Sequence, residues 1–326
     1  MNGALDAFEI RPYRNTDQES LVRAWNACLP HDVLTRERFM DRVILDVNFD
    51  AELAPVAIAD GEVAAFCLGM RRRYPYLTRG LEPERGWICA LFTEPGSRRI
   101  GLASKLVDWV EGRLAELGIR EVTVGAYSPN YFMPGIDLSY DGAVPFFESL
   151  GYDDRGKAVS MQRSLFGYEL PQATRERIGE LRGQGILFEP YQGKYLDRLL
   201  TFAGEQFGAG WLRNVMDALR AHEAEQTILL AVDSTNDEIL GFCMRKIDGN
   251  DARFGPIGVR EDMRSQGLGG VLLDLQMLEM KKRGITGLYF LWTSGTNIRF
   301  YEKHGFSTYR TYRLSRKRIG STAGEN

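Results

Sequence analysis

The chain repeats itself, and this limits the folds open to it more than any other feature. Phe8-Glu-Ile-Arg-Pro-Tyr13 opens the chain, and Leu187-Phe-Glu-Pro-Tyr191 opens a comparable stretch past its middle. Ala64-Ala-Phe66-Cys67 returns as Leu240-Gly-Phe242-Cys243, and Arg98-Arg-Ile-Gly101-Leu-Ala103 returns as Arg264-Ser-Gln-Gly267-Leu-Gly269. Phe147-Glu-Ser-Leu-Gly151-Tyr152 returns as Tyr301-Glu-Lys-His-Gly305-Phe306. The offsets fall from 176 to 166 to 154 residues, so the first copy holds 10 extra residues before its Arg/Gly motif and 12 after it. Insertions belong in loops, which places them near residues 71–80 and within 128–137.

Both copies otherwise keep one order of elements. An early helical pattern gives way to strands at residues 55–59 and 61–68 in the first copy, and at 227–232 and 239–244 in the second. Asp60-Gly61 reads as a hairpin turn. Then come a strand (87–92 or 253–259), the glycine motif and an amphipathic helix (102–117 or 268–283) stopped by Gly118 or Gly284. A β-rich run (121–124 or 287–292) and a short helix ending at Gly151 or Gly305 complete each copy. The expected unit is mixed α/β, used twice. Residues 165–185, with a polar helical stretch at 174–182, read as the connector.

Composition excludes several alternatives. A length of 326 residues suits two domains, and 44% hydrophobic with 26% charged residues is ordinary for a globular chain. Forty-one Lys and Arg against 44 Asp and Glu leave a net charge of -3, so there is no broad basic footprint for nucleic acid or an anionic membrane. Cys28, Cys67, Cys89 and Cys243 lack the spacing of a zinc site or a disulfide framework, which favours a reducing cytoplasm and no metal. Residues 1–11 carry Asp6 and Glu9 rather than a signal-peptide start, and no apolar run reaches the roughly 18 residues a membrane span needs. Basic clusters at 281–283 and 313–318 read as a helix end and a solvated strand.

Strand Phe254-Gly-Pro-Ile-Gly-Val259 feeds the loop Arg260-Glu-Asp-Met-Arg264-Ser-Gln-Gly267-Leu-Gly269-Gly270, which enters a helix directly. Its physical use is anion capture. Glycines let successive amides turn toward one point, and the unpaired first-turn amides and the helix dipole favour negative charge. The loop has neither the Gly-Lys-Ser/Thr of a Walker motif nor a small residue at Leu272 for a dinucleotide fingerprint. A glycine-rich helix entry with no ligand is the alternative reading of the loop alone.

In context, this segment resembles the acetyl-coenzyme A motif of the GCN5-related N-acetyltransferases (GNATs), Gln/Arg-x-x-Gly-x-Gly/Ala, and both copies match it. The resemblance spans most of residues 186–318 and is weaker over 8–165. It implies an α/β fold of two tandem GNAT-like domains, each a mixed, mostly antiparallel sheet flanked by helices with a splayed central strand pair. Residues 1–165 would form the first domain, 166–185 the connector and 186–326 the second domain. The resemblance also implies acetyl-CoA as co-substrate, with the pantetheine arm along Ile257, Gly258 and Val259. The diphosphate would then rest on amides from Arg264, Ser265, Gln266, Gly267, Leu268, Gly269 and Gly270. The Arg264 side chain either touches ligand or closes the loop.

Asn297 and Tyr301, four residues apart, share one helix face. The resemblance implies that Tyr301 donates a proton to the departing thiolate and that Asn297 contacts the pantetheine arm. A phenol with pKa near about 10 can serve a thiolate near about 8.5, and Tyr301 as a core aromatic is the alternative. The aligned residues of the first copy are Phe147 and Ala143, so that half is expected to be catalytically degenerate, with cofactor binding still open. Asp251 is the candidate base, against a solvent-facing carboxylate. His31 and His222 are weaker candidates, His304 reads as a helix-end residue and Cys89 as core.

Residues 131–137, including Tyr131 and Asp137, resemble a segment of some tandem GNATs associated with amino-sugar metabolism, and either reach an acceptor or pack as a loop. Arg71, Arg72 and Arg73 read as exposed charge, with contact to an acidic substrate as the alternative. The leading expectation is an acetyl-CoA-dependent N-acetyltransferase acting directly on a primary amine of a small molecule, an amino sugar among the candidates. The alternatives are an acyl-CoA-binding sensor without turnover, or a mycothiol-synthase-like acyltransferase. The chain is expected to be cytoplasmic, a monomer or homodimer, without nucleic-acid or membrane partners.

Overall fold

Residues 5–130 and 132–320 are described in the computed structural model of the chain. The first copy runs β1 (Glu9–Pro12), α1 (Gln18–Cys28), α2 (Arg36–Phe39), β2 (Pro55–Ala59), β3 (Glu62–Arg71), β4 (Arg85–Thr93), α3 (Leu102–Glu116), β5 (Glu121–Val124), β6 (Ile136–Asp137), α4 (Ala143–Ser149) and β7 (Asp153–Ser164). The connector helix α5 (Gln172–Gly183) leads into β8 (Ile186–Pro190), α6 (Leu196–Phe207), α7 (Ala209–Arg220), α8 (Ala224–Thr227), β9 (Ile228–Asp233) and β10 (Ile239–Arg245). There follow β11 (Phe254–Val259), α9 (Leu268–Lys282), β12 (Gly287–Thr293), α10 (Asn297–Lys303) and β13 (Ser307–Arg318). The expected α/β succession is therefore present in both copies. Asp60 and Gly61 both take positive φ, 51° and 81°, as a two-residue hairpin turn between β2 and β3 requires.

The chain divides into two compact units, Met1–Ala158 with Thr311–Asn326, and Val159–Arg310. These units cross the repeat boundaries. Residues 159–164 of β7 pair with β12 inside the second unit, and residues 315–318 of β13 pair with β5 inside the first. Each repeat thus ends in a strand that is divided between the units.

In the first unit β1, β2, β3 and β4 form an antiparallel succession, β5 joins β4 in parallel, and β13 joins β5. Strand alternation sends Val56, Phe66 and Leu68 into a core with α1 and α2. Ala57, Cys67 and Ile88 go into a second core with α3 and α4 on the other face. In the second unit β8, β9, β10 and β11 form an antiparallel sheet. Leu230 and Phe242 face α6 and α7, whereas Ala231, Cys243 and Phe254 face α9.

A bulge marks the same place in both sheets. Cys89 is the extra residue of β4 opposite Leu68 and Gly69, and the β10–β11 register slips opposite Gly255 and Pro256. Gly255 adopts φ +98°, open to a residue without Cβ. Among the described residues no helix is long and apolar enough to cross a membrane.

Candidate active site

In the second unit β11 and β12 share no backbone ladder among the described residues; a single parallel bridge joins Arg253, just before β11, to Tyr289, reinforced by the Tyr289 amide donating to the Ala252 carbonyl at 3.0 Å. Past the bridge β11 pairs with β10 on one edge, and its other edge carries no ladder among the described residues. The two strands are splayed, leaving the Ile257–Val259 backbone open to an added strand-like ligand. Gly258 is buried on the α6–α7 face. A Cβ there would lie 2.4 Å from Phe207 and 2.6 Å from Trp211, whose rings stack at 4.3 Å. That aromatic wall, which the sequence patterning did not single out, explains why the strand has glycine there.

The loop after β11 turns through left-handed Ser265 (φ 64°) and Gly267 (φ 84°) into α9. The helix's first backbone bond runs from the Val271 amide to the Gly267 carbonyl at 3.1 Å. The amides of Leu268, Gly269 and Gly270 are therefore the unpaired first-turn donors, reinforced by the positive end of the helix dipole. A diphosphate fits this helix entry: its first-turn amides are left to donate, Gly267 is exposed, and Gly269 and Gly270 add no side chains. Gln266 is half-buried. The Arg264 side chain is 59% exposed and approaches Glu261 only to 3.9 Å, so it does not close the loop through that carboxylate. In the first unit the aligned Arg98 does bind its loop, donating from Nε to the Thr93 carbonyl at 2.9 Å.

Asn297 is exposed at the first position of α10, one turn before Tyr301. Tyr301 packs among Phe290, Phe300 and Phe306, with ring centroids at 4.4, 5.1 and 5.5 Å. Among the described residues its hydroxyl has no hydrogen-bond partner. Desolvation by burial holds its pKa above the usual phenol range, and Cys243 adds to the rise, so the proton stays on Tyr301 at neutral pH. A thiolate placed beside the same aromatic rings would have its proton affinity raised too, which keeps donation feasible. Phe147, at the aligned place in the first unit, is buried against Phe146 and Tyr152.

Among the described residues Asp251 is not brought to Tyr301 by any contact. It is 66% exposed and lies 3.7 Å from Arg245, lining a polar cavity of about 240 Å³ with Arg245, Glu223 and Arg283. His304 ends α10, and its Nδ1 stands 3.0 Å from the buried Asp274. His222 is exposed, while the His31 amide meets the Tyr140 hydroxyl. Burial pushes the Cys89 thiol up and leaves no thiolate.

Two other expectations meet the structure in the first unit. Tyr131 lies outside the described residues, but the rest of its segment packs inward. Phe132 meets Trp25 at 5.3 Å, and the 1%-exposed Asp137 accepts from the Ser139 amide and hydroxyl at 2.8 Å. Arg72, read as exposed, is instead buried over the rings of Tyr76, Trp87 and Tyr127, with its Nε donating to Glu82 at 2.7 Å. The paired carboxylate and the aromatic faces offset the desolvation of the guanidinium.

Comparison with known proteins bears on these two units. The model of the acetyltransferase (GNAT) family matches residues 18–152, and that of the acetyltransferase (GNAT) domain matches residues 224–308. A mycothiol acetyltransferase of Actinosynnema mirum is 26% identical over 268 residues, 79% of this chain and 84% of that protein. Among solved structures, a GCN5-related N-acetyltransferase from Sphaerobacter thermophilus aligns with TM-score 0.70 at 22% identity over 96% of both chains. The glucosamine N-acetyltransferase region of a fungal multi-domain β-N-acetylglucosaminidase aligns with TM-score 0.78 at 19% identity, covering 95% of this chain and 38% of that one. A tandem GNAT protein of clavulanic acid biosynthesis aligns with TM-score 0.64 at 13% identity over 97% of this chain and 100% of that one. The chain belongs to the GNAT acetyltransferase family, as a tandem enzyme of two GNAT domains that uses acetyl-CoA as co-substrate.

Proposed function

We propose that this enzyme transfers an acetyl group directly to the primary amine of a small molecule, an amino sugar in the first instance, and that the second domain performs the reaction with Tyr301 as general acid. The observation that carries the reading is the Tyr301 hydroxyl, without a hydrogen-bond partner among the described residues, on a half-buried aromatic wall of α10, where the first copy has Phe147. In this reading residues 186–326 supply the chemistry, residues 166–185 connect, and residues 1–165 are catalytically degenerate while keeping a loop able to bind coenzyme A.

Acetyl-CoA supplies the activated acyl carbonyl. The free edge at Ile257, Gly258 and Val259 orients the pantetheine arm, the amides of residues 264–270 hold the diphosphate, and Asn297 contacts the arm a turn away from Tyr301. Tyr301 holds the proton needed by the leaving thiolate, and such help is worth about 100- to 10,000-fold. An acceptor ammonium near pKa of about 10 has no lone pair, so a proton must leave before attack. Asp251 is the carboxylate proposed to accept it at the turn that leads into β11, and Asp251→Asn should then lower the rate most at neutral pH.

The names of two similar proteins, a glucosamine N-acetyltransferase region and a mycothiol acetyltransferase, support an amino-sugar acceptor. The second of them favours one further reading, a mycothiol-synthase-like acylation of a cysteine-bearing amino-sugar conjugate. Coenzyme A release measured across simple amines, polyamines, amino sugars and such conjugates tests the proposal. An N-acetylated amino sugar formed fastest supports it. Binding of acetyl-CoA without turnover on any amine would contradict it.

A further inference from the structure

The connector helix reaches the diphosphate loop. Arg177 of α5 donates from Nε to the Gln266 carbonyl at 2.9 Å, and its Nη2 donates to the same oxygen. Its Nη1 is held by Glu180 at 2.6 Å, so all three guanidinium nitrogens are engaged. The side chain lies directly on Gly267, where an added Cβ would meet Arg177 Nε at 3.1 Å and Cγ at 3.4 Å. Thr174, one turn earlier, donates to the buried Asp274 of α9 at 2.6 Å. The helix is thus pinned both to the loop and to the helix that the loop enters.

The consequence follows from peptide geometry. A trans peptide is planar, so the Gln266 carbonyl and the Gly267 amide point in opposite directions. Fixing the oxygen on Arg177 aims the Gly267 N–H away from the guanidinium and holds it there as a free donor of the loop. The fork also neutralises a carbonyl oxygen that would otherwise be able to swing toward an incoming anion and repel it. The left-handed glycine needs such a restraint, because it can flip its peptide at little steric cost. In the first unit, among the described residues, no side chain donates to the aligned Ile100 carbonyl.

We propose that Arg177 is a positioning residue for the diphosphate of acetyl-CoA, acting through the Gln266–Gly267 peptide without touching the reacting atoms. The proposal rests on the reading that this loop holds the diphosphate, and its test separates the two. The full-length enzyme and its Arg177→Ala and Arg177→Lys variants are assayed with acetyl-CoA and with acetyl-pantetheine, which lacks the diphosphate.

Arg177→Ala is expected to raise the KM for acetyl-CoA roughly tenfold, the scale of a charge-assisted hydrogen bond. Its kcat should stay within about twofold of the parent, and kcat/KM for acetyl-pantetheine should not change. Arg177→Lys keeps the charge but not the fork and should recover less than half of the loss on a logarithmic scale. Equal losses with both thioesters would mean a general structural role and overturn the proposal, as would full recovery by lysine or an unchanged KM. If the parent enzyme shows no preference for acetyl-CoA over acetyl-pantetheine, the diphosphate reading itself fails, and the proposal fails with it.

Discussion

Ser265 and Arg99 share one backbone conformation, with φ of 64° and 65°, and each stands two residues ahead of a left-handed glycine, Gly267 at 84° and Gly101 at 90°. Each glycine carbonyl then accepts the first bond of a 15-residue helix, from Val271 or Lys105, at 3.1 Å in both cases. The duplicated motif therefore folds to the same loop and helix entry twice. The copies differ at the short helix, where the second has Tyr301 and the first has Phe147.

Substituting the two glycines should separate binding from turnover. Alanine in a left-handed position costs about 1 kcal/mol or more, and at residue 267 its Cβ also presses on Arg177. Gly267→Ala should raise the KM for acetyl-CoA at least about tenfold in steady-state assays. Gly101→Ala should leave kcat within about twofold of the parent.

The wall beside the cofactor strand should tolerate no side chain. Gly258→Val places atoms where Phe207 and Trp211 stand, and overpacking of this kind costs about 1 to 3 kcal/mol. A lower Tm and a higher KM for acetyl-CoA are expected. Gly258→Val combined with Trp211→Ala should recover part of both.

The acid role proposed for Tyr301 fixes the sign of the expected pH profile. Its pKa is held above the ordinary phenol value by burial first and Cys243 second, so the acid form persists below that value. The rate at saturating substrates should rise with pH as the acceptor amine deprotonates, and should show no fall below about pH 10. A decline between pH 8 and 9 would assign the acid to another group.

The entry to α1 should be acid-sensitive. Arg11 grips Asp17 with two bonds of 2.7 and 2.8 Å, and the Arg14 amide adds a third at 2.7 Å. Desolvation pushes the Asp17 carboxyl up, but Arg11 and then the Arg14 amide outweigh it and the net shift is downward. A depressed folded value means stabilisation that is complete above the unfolded carboxyl range and is lost as pH falls through the folded one. Asp17→Asn should cost about 2 to 3 kcal/mol in urea unfolding at pH 7, and less at pH 3.

Much of this was legible in the chain itself. The hairpin Asp60-Gly61, the helices starting at Leu102 and Leu268, and both Arg/Gly loops follow from local rules, because turn chemistry and helix entry are set within a few residues. The division of β7 and β13 between the units was not legible. Alternation along a strand fixes its faces but not its neighbours, so the pairing of β7 with β12 and of β13 with β5 lies in tertiary contacts rather than in pattern. Arg72 misled for a related reason, since a run of three arginines looks solvated until Glu82 and three aromatic rings are brought around its centre. Arg177 was hidden in a polar connector whose partner carbonyl lies 89 residues away.

Tyr301→Phe removes one oxygen from a packed aromatic wall, and its kinetics decide whether the hydroxyl acts as the acid. With an accepted amine at saturation, kcat should fall about 100-fold or more, with the KM for acetyl-CoA within about threefold of the parent. An unchanged kcat would contradict that role.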